Sequence, residues 1–417
     1  MATLAHSLEP LQTLEGHTDR VWHLAWSPDG TSLASCSGDR TVRIWQQSRV
    51  EGRGWRCAAV LEDTHTKSIR CCCWSPGGTH LATASFDGTT AIWQLQGGIW
   101  EEISKLEGHE NEVKAVAWSP CGNYLATCGR DKSVWFWERG LGEEYDCMDV
   151  KHGHSQDVKS VAWHPSKELL ASCSYDNSIK LWANDEADWV CVQTLEGPAV
   201  GHSSTVWSVG FSRDGRQLAS VSDDCTLRVW DVAWRDGFPP EPHCTLAACI
   251  SGHHSRCIFT LDWSGQGLIA TGDGANCIKL FGQPDLLEAA AAAAEAAAGA
   301  ASSSNAADSS SSNVHRQAAD TAAAPGTPEL AGEQETPEEQ LTGGPQGSTA
   351  AAAAAGNAES AWECLCSVQQ SHNADVNCVR WHPSQQGLLA SAGDDGVVKL
   401  WQYRQLSQAA ALAAAGS

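Results

Sequence analysis

Histidine and aspartate recur through this 417-residue chain at spacings that invite a catalytic reading, because an aspartate that orients an imidazole makes a general base. The pairs are His17/Asp39, His65/Asp87, His109/Asp131, His154/Asp176, His202/Asp224 and His372/Asp395. Six residues after each Asp stands a tryptophan: Trp45, Trp93, Trp137, Trp182, Trp230 or Trp401. A seventh histidine, His254, has Ala275 and Phe281 where the others have Asp and Trp. An enzyme needs one tuned site rather than a row of equal ones, so the repetition argues for a structural network. Such a buried polar chain fixes one packing when every member is satisfied. The unit built on His254, lacking Asp and Trp at those places, is expected to be the loosest. No G-x-S-x-G, H-E-x-x-H or phosphate-cradling glycine loop supports an enzyme.

The eighteen cysteines are equally undramatic. Cys36, Cys128 and Cys173 stand nine residues before the repeat Trp, where other units carry Ala84, Val221 and Ala392. Cys57, Cys147, Cys191 and Cys364 each follow an aromatic by two residues. Cysteine thus replaces small apolar residues at equivalent positions, as buried reduced thiols do. "CCC" at 71–73 and "CLC" at 364–366 lack the paired C-x₂-C spacing of structural zinc, so neither metal nor cofactor is expected. Reduced thiols imply a cytosolic or nuclear setting.

The net charge of −23 disfavours nucleic acid or an anionic membrane as the main partner. No apolar run approaches the roughly 20 residues of a membrane span, and the N-terminus lacks a signal-peptide pattern.

The elements that position these residues are short strands. "VWHLAWS" and "EVKAVAWS" alternate, "YLATCG" and "LLASCS" are compact apolar runs, and "SPDG" or "SPGG" supplies turns. Nine residues after each histidine comes an aromatic: Trp26, Trp74, Trp118, Trp163, Phe211, Trp263 or Trp381. Successive histidines lie 48, 44, 45, 48, 52 and 118 residues apart, the last interval holding a long insertion. With its Gly-His and Trp-Asp-like signatures, this period resembles the WD40 repeat, four strands per propeller blade. The fold class implied is all-β, a seven-bladed propeller covering residues 1–283 and 360–405.

In that fold the stretch before each Gly-His is the outermost strand of the preceding blade. "LEPLQTLEGH" therefore has no blade of its own, and the last unit, ending at "VVKLWQ", lacks one strand. The N-terminal strand is expected to complete blade seven and close the ring. Residues 284–359 collapse to Ala, Ser, Gly, Pro and Glu, which bury too little to offset chain entropy. They are expected to be a disordered spacer between the third and fourth strands of blade six, with a short helix over the first alanine run. Residues 406–417 read as a disordered tail.

The face carrying the histidine loops is chemically distinctive. It displays the residue before each Asp and the residues three and five beyond each His. Blades two to four present Arg70, Lys114, Arg130 and Lys159, flanked by Phe86 and Tyr175; blades five, six and one offer Trp207, Phe259 and Trp22. Cations on an acidic molecule attract acidic groups, and aromatics with Arg are frequent interface hot spots. Carboxylates, a peptide C-terminus among them, are the target class that Arg's bidentate fork matches. The alternative is that these cations merely line a solvated channel mouth.

"LEGHENEVKAVAWSPCGNYLATCGRDKSVWFWE", "HSQDVKSVAWHPSKELLASCSYDNSIKLW" and "ADVNCVRWHPSQQGLLASAGDDGVVKLW" closely resemble one WD40 subfamily, the adaptor of cytosolic iron–sulfur protein assembly. The resemblance includes the aberrant sixth unit, "SGHHSRCIFTLDW". It implies a non-enzymatic subunit of a targeting complex that joins a small partner subunit and a HEAT-repeat subunit and recognises apo-clients. It also implies that Arg130 corresponds to the family's functionally important top-face arginine. Two features depart from the pattern. A Leu-Tyr-Arg tripeptide that some members use for a cochaperone reads Leu181-Trp182-Ala183 here, and "LEGPAVGH" adds a small rim loop at Pro198–Gly201. The rival expectation is a substrate receptor of a cullin-type ubiquitin ligase, for which "WDVAWR" at 230–235 has the wrong spacing for a W-D-x-R motif.

Overall fold

Each repeat folds as a four-stranded antiparallel sheet in the computed structural model of the chain, and seven such sheets are present among the described residues. Those residues are 5–48, 50, 54–185, 188–235, 241–287 and 361–406. Blade one shows the plan: Val21–Trp26 innermost, then Ser32–Ser37, Val42–Gln47 and the outermost strand Trp55–Leu61. The second strand is the most apolar and is buried throughout in blades one, two, four, six and seven. Its centre holds a fully buried alanine in every blade, namely Ala34, Ala82, Ala126, Ala171, Ala219, Ala270 and Ala390. A small side chain there lets neighbouring sheets approach to interior packing density.

In four blades the aromatic nine residues after the histidine joins neighbouring sheets. The indole N–H groups of Trp26, Trp74, Trp163 and Trp263 donate to Arg380, Ala25, Ala117 and Gly210, each on the inner strand of the neighbouring blade, at 3.0–3.1 Å.

The ring closes through the N-terminus. Ala5–Leu14 pairs antiparallel with Val398–Leu406 and becomes the outermost strand of blade seven. A second latch adds to this pairing. The Gln12 amide donates to the Trp55 carbonyl and accepts from the Trp55 N–H, both at 2.8 Å, tying that strand to blade one. Gln193 clamps Cys244 in the same way between blades four and five.

Blade six pairs Ile278–Gly282 with Glu363–Val368, so the long insertion does connect its third and fourth strands. The folded part extends a little beyond the expected boundary at residue 283. Residues 284–287 form a helical turn, and Leu287 is buried with Leu268, Leu280 and Tyr403. The expected alanine helix, the disorder of the remaining insertion and the tail beyond residue 406 lie outside the described residues.

All eighteen cysteines are free thiols. Cys36, Cys128 and Cys173 are fully buried as expected, but Cys147 and Cys191 are exposed. The outermost strand of a blade has solvent on one side, so a residue there need not be buried however regular its spacing.

Candidate protein-interaction site

The blade network is continuous and local. In blade one the Trp45 indole N–H donates to Ser35 Oγ at 2.8 Å, and that hydroxyl meets His17 Nε2 at 2.8 Å. His17 Nδ1 donates to Asp39 at 2.9 Å. The same order runs Trp93–Thr83–His65–Asp87, Trp137–Thr127–His109–Asp131, Trp182–Ser172–His154–Asp176 and Trp401–Ser391–His372–Asp395. Burial pushes the Asp39 carboxyl up, but the His17 hydrogen bond and charge outweigh it and hold the group well below the usual carboxylate range. Gly108, just before His109, has φ +151, and a Cβ there would lie 2.5 Å from the Trp135 ring, so blade three needs glycine at this place, whereas Thr64, His253 and Ser371 precede the histidine in blades two, six and seven.

Two blades differ from the expected chain. In blade five His202 bonds Asp224 at 2.9 Å and Ser220 at 2.6 Å, yet the buried Trp230 indole N–H has no partner among the described residues. Blade six is braced by an aspartate after all. Asp273 meets His254 Nδ1 at 2.7 Å, and Thr271 meets His254 Nε2 at 3.0 Å. Asp273 stands two residues before the expected place, at the last position of the second strand, where blade one has Ser37 and blade three Gly129. From there it accepts the Ala275 and Cys277 N–H groups, both at 2.9 Å, and so rebuilds the turn that the other aspartates make. Phe281 fills the Trp position, fully buried, and contributes no donor.

These networks hold the top loops, and one feature of the inner strands aims their side chains. In every blade the pairing of the innermost strand skips one residue. The skips are Val21/His23, Ile69/Cys71, Val113/Ala115, Val158/Ser160, Val206/Ser208, Ile258/Thr260 and Val376/Cys378. The skipped residues are Trp22, Arg70, Lys114, Lys159, Trp207, Phe259 and Asn377. A bulge frees one side chain from the pleat and re-aims it. All seven line one cavity of about 290 Å³ at the channel mouth, together with Phe86, Tyr175, Arg20, Asp375 and Asp394.

Each bulge residue has two companions in its own blade. The residue before the Asp donates its backbone N–H to the carbonyl of the residue three beyond the His, as Arg130 does to Glu112 at 2.9 Å and Tyr175 to Asp157 at 3.0 Å. The mouth is therefore built from seven triplets. Blade three contributes Glu112, Lys114 and Arg130. Blade four contributes Asp157, Lys159 and Tyr175, and blade two Ser68, Arg70 and Phe86.

Cations and rings alternate around one side. Lys114 Nζ lies 4.1 Å from the Phe86 ring centre, Lys159 Nζ 3.4 Å from Tyr175, and Arg70 5.0 Å from Trp22. Tyr175, Trp207 and Phe259 continue edge-to-face at 5.5 and 5.3 Å. Burial, followed by the charges of Lys114 and Arg70, pushes Lys159 down to about 8 despite Asp157. Opposite stand Asp375 and Asp394, and burial, with Asp394 beside it, raises the Asp375 carboxyl. The mouth is thus dipolar, basic on blades two to four and acidic on blade seven.

Arg130 is the one expected residue outside this cavity. It sits on the rim, 57% exposed, with Nη1 3.5 Å from Glu112. Arg20 and Asp375 were not singled out from the sequence, although both occupy the position three beyond a His.

A WD domain, G-beta repeat model matches residues 8–46, 55–94, 100–138, 145–183, 189–231 and 362–402. It passes over blade six, where Asp and Trp are displaced or replaced and the insertion intervenes. A probable cytosolic iron-sulfur protein assembly protein, CIAO1 homolog, of Chlamydomonas reinhardtii is 49% identical over 95% of this chain and 99% of its own length. The chain belongs to the WD40 family of cytosolic iron–sulfur protein assembly proteins. Protein CIA1 of Arabidopsis thaliana is 44% identical over 95% of this chain and 96% of its own. A probable Ciao1 protein of Aedes aegypti is 40% identical over 95% and 98%. The rival expectation of a ligase receptor finds no support in these relatives.

Proposed function

We propose that this protein is a non-enzymatic adaptor of cytosolic iron–sulfur protein assembly, required for maturation of extramitochondrial iron–sulfur proteins. The observation that carries the reading is identity of 40–49% over nearly the whole propeller with proteins named for that assembly. The mouth is the surface that recognises protein partners. Its rings supply apolar contact, and Arg70, Lys114 and Lys159, with Arg130 on the rim, receive carboxylates of acidic segments. The partners are a small subunit and a HEAT-repeat subunit of a targeting complex, together with apo iron–sulfur clients. The cluster itself is cargo carried by other subunits. The protein works in the cytoplasm and also in the nucleus.

Depletion in cells, followed by replacement with wild type, tests the role. Radio-iron incorporation into a cytosolic iron–sulfur enzyme should fall on depletion and recover on replacement, while a mitochondrial iron–sulfur enzyme stays loaded throughout. Equal loss in both compartments, or no loss, would contradict it.

A further inference from the structure

The cations of the mouth are not equally available. Lys114 Nζ is 2.6 Å from Glu112 Oε2, and the other oxygen of that carboxylate is 3.5 Å from Arg130. Lys159 is 3.4 Å from Asp157 in the same arrangement, and Arg20 is 3.2 Å from Asp394. Glu112 and Asp157 are not among the cavity-lining residues, yet each pairs with a lysine that is. Blade two has Ser68 where blades three and four have these acids. Among the described residues Arg70 makes no ion pair and no hydrogen bond, and its guanidinium faces the Trp22 ring. The Trp22 indole N–H is likewise buried without a partner. A guanidinium on the cavity wall with unmet donors is a seat for a carboxylate.

Resting on the adaptor reading above, we infer that the mouth holds one open carboxylate seat, at Arg70 beside Trp22, and filled seats of which the shortest pairing is at Lys114, where Glu112 stands in for the partner's carboxylate and sets its affinity. An incoming acidic segment anchors at Arg70 first. It then exchanges with Glu112, which keeps Arg130 as its alternative partner and swings outward. Arg130, besides meeting carboxylates at the rim, also weakens the grip of Glu112 on Lys114 by offering that carboxylate a second partner. The exchange replaces one carboxylate with another, so affinity is limited by competition and not by the number of cations present.

The test uses the full chain and a labelled peptide of alternating Glu and Phe, with its Gln–Phe counterpart as control. Fluorescence anisotropy gives Kd for wild type, Glu112→Gln, Arg70→Gln and Arg70→Lys, and thermal unfolding verifies that each variant is folded. Glu112→Gln should bind the Glu–Phe peptide roughly threefold to tenfold tighter, and adding Lys114→Met should abolish that gain. Arg70→Gln should weaken binding by about tenfold or more, with Arg70→Lys between it and wild type. Unchanged or weaker binding by Glu112→Gln, a gain that survives Lys114→Met, or indifference to Arg70 would each overturn the inference while leaving carboxylate recognition standing. Equal affinity of wild type for the two peptides would instead remove carboxylate recognition by the mouth, and the inference with it.

Discussion

Asp273 reaches the same histidine as its counterparts from a different strand position, and the energetics should follow the contact rather than the register. Removing a buried carboxylate that bonds an imidazole and two backbone N–H groups leaves all three unpaired. Asp273→Ala should therefore destabilise the propeller by about 2–4 kcal/mol in urea unfolding, comparable to Asp224→Ala. An effect below about 0.5 kcal/mol would mean that blade six is not braced this way. Blade five gives the complementary case. The Trp230 N–H has no partner, so Trp230→Phe should cost less than Trp182→Phe, whose donor bonds Ser172 at 2.8 Å. The six-residue interval from Asp to Trp made six aspartates legible. It concealed Asp273 because the interval measures position along the chain, whereas the imidazole responds to where an oxygen lies in space. Lys159 permits a pH test at the same scale. Its value near 8 means that it loses charge as pH rises through that range, so affinity for an acidic peptide should fall above about pH 8. A Lys159→Arg variant should hold its affinity to higher pH, and equal profiles for the two proteins would contradict the assignment.

At the level of elements, the innermost-strand bulge decides what the mouth displays. Counting five residues beyond each His picked out the seven bulge residues, and that count works because the bulge occurs at the same place in every blade. The ion pairs behind them were not legible. Nothing in the spacing of Glu112 and Lys114 says that their heads meet at 2.6 Å, or that Arg70 is left without such a neighbour. The N-terminal strand was legible from a missing outermost strand in the last repeat. The Gln12 clamp was not, since a glutamine on an edge strand usually faces solvent. Two hydrogen bonds to a neighbouring backbone make Gln12→Ala worth about 1–2 kcal/mol. Deleting residues 1–15 should lower the unfolding temperature of the whole propeller by many degrees, because it exposes the full edge of Val398–Leu406 as well as breaking the clamp. Loss confined to a fraction of the calorimetric enthalpy would show that blade seven stands without the N-terminus.

Across the whole molecule, charge is distributed unevenly. The chain carries a net charge of −23, while four cations, Arg20, Arg70, Lys114 and Lys159, meet at one mouth. Association with an acidic partner should accordingly weaken as salt rises, with unlike charges attracting only at short range. The blade aspartates give stability its own pH dependence. Asp39, Asp87, Asp131, Asp176, Asp224, Asp273 and Asp395 are pushed up by burial but held below their ordinary value by their histidines. A depressed carboxyl lends stability above its unfolded value and loses it as pH falls toward the folded one. Urea midpoints should thus drop steeply below about pH 4, all blades together, and a flat profile from pH 5 to 3 would contradict the network's weight.

The most direct measurement of the central claim is affinity capture from cell extract with wild type and with Arg130→Glu, after both are shown to unfold at the same temperature. The adaptor account expects wild type to bring down iron–sulfur assembly subunits and apo-clients, and the variant to lose clients. If both proteins capture clients equally, the mouth and its rim are not the recognition surface. If neither captures any assembly subunit or client, the adaptor role itself is contradicted.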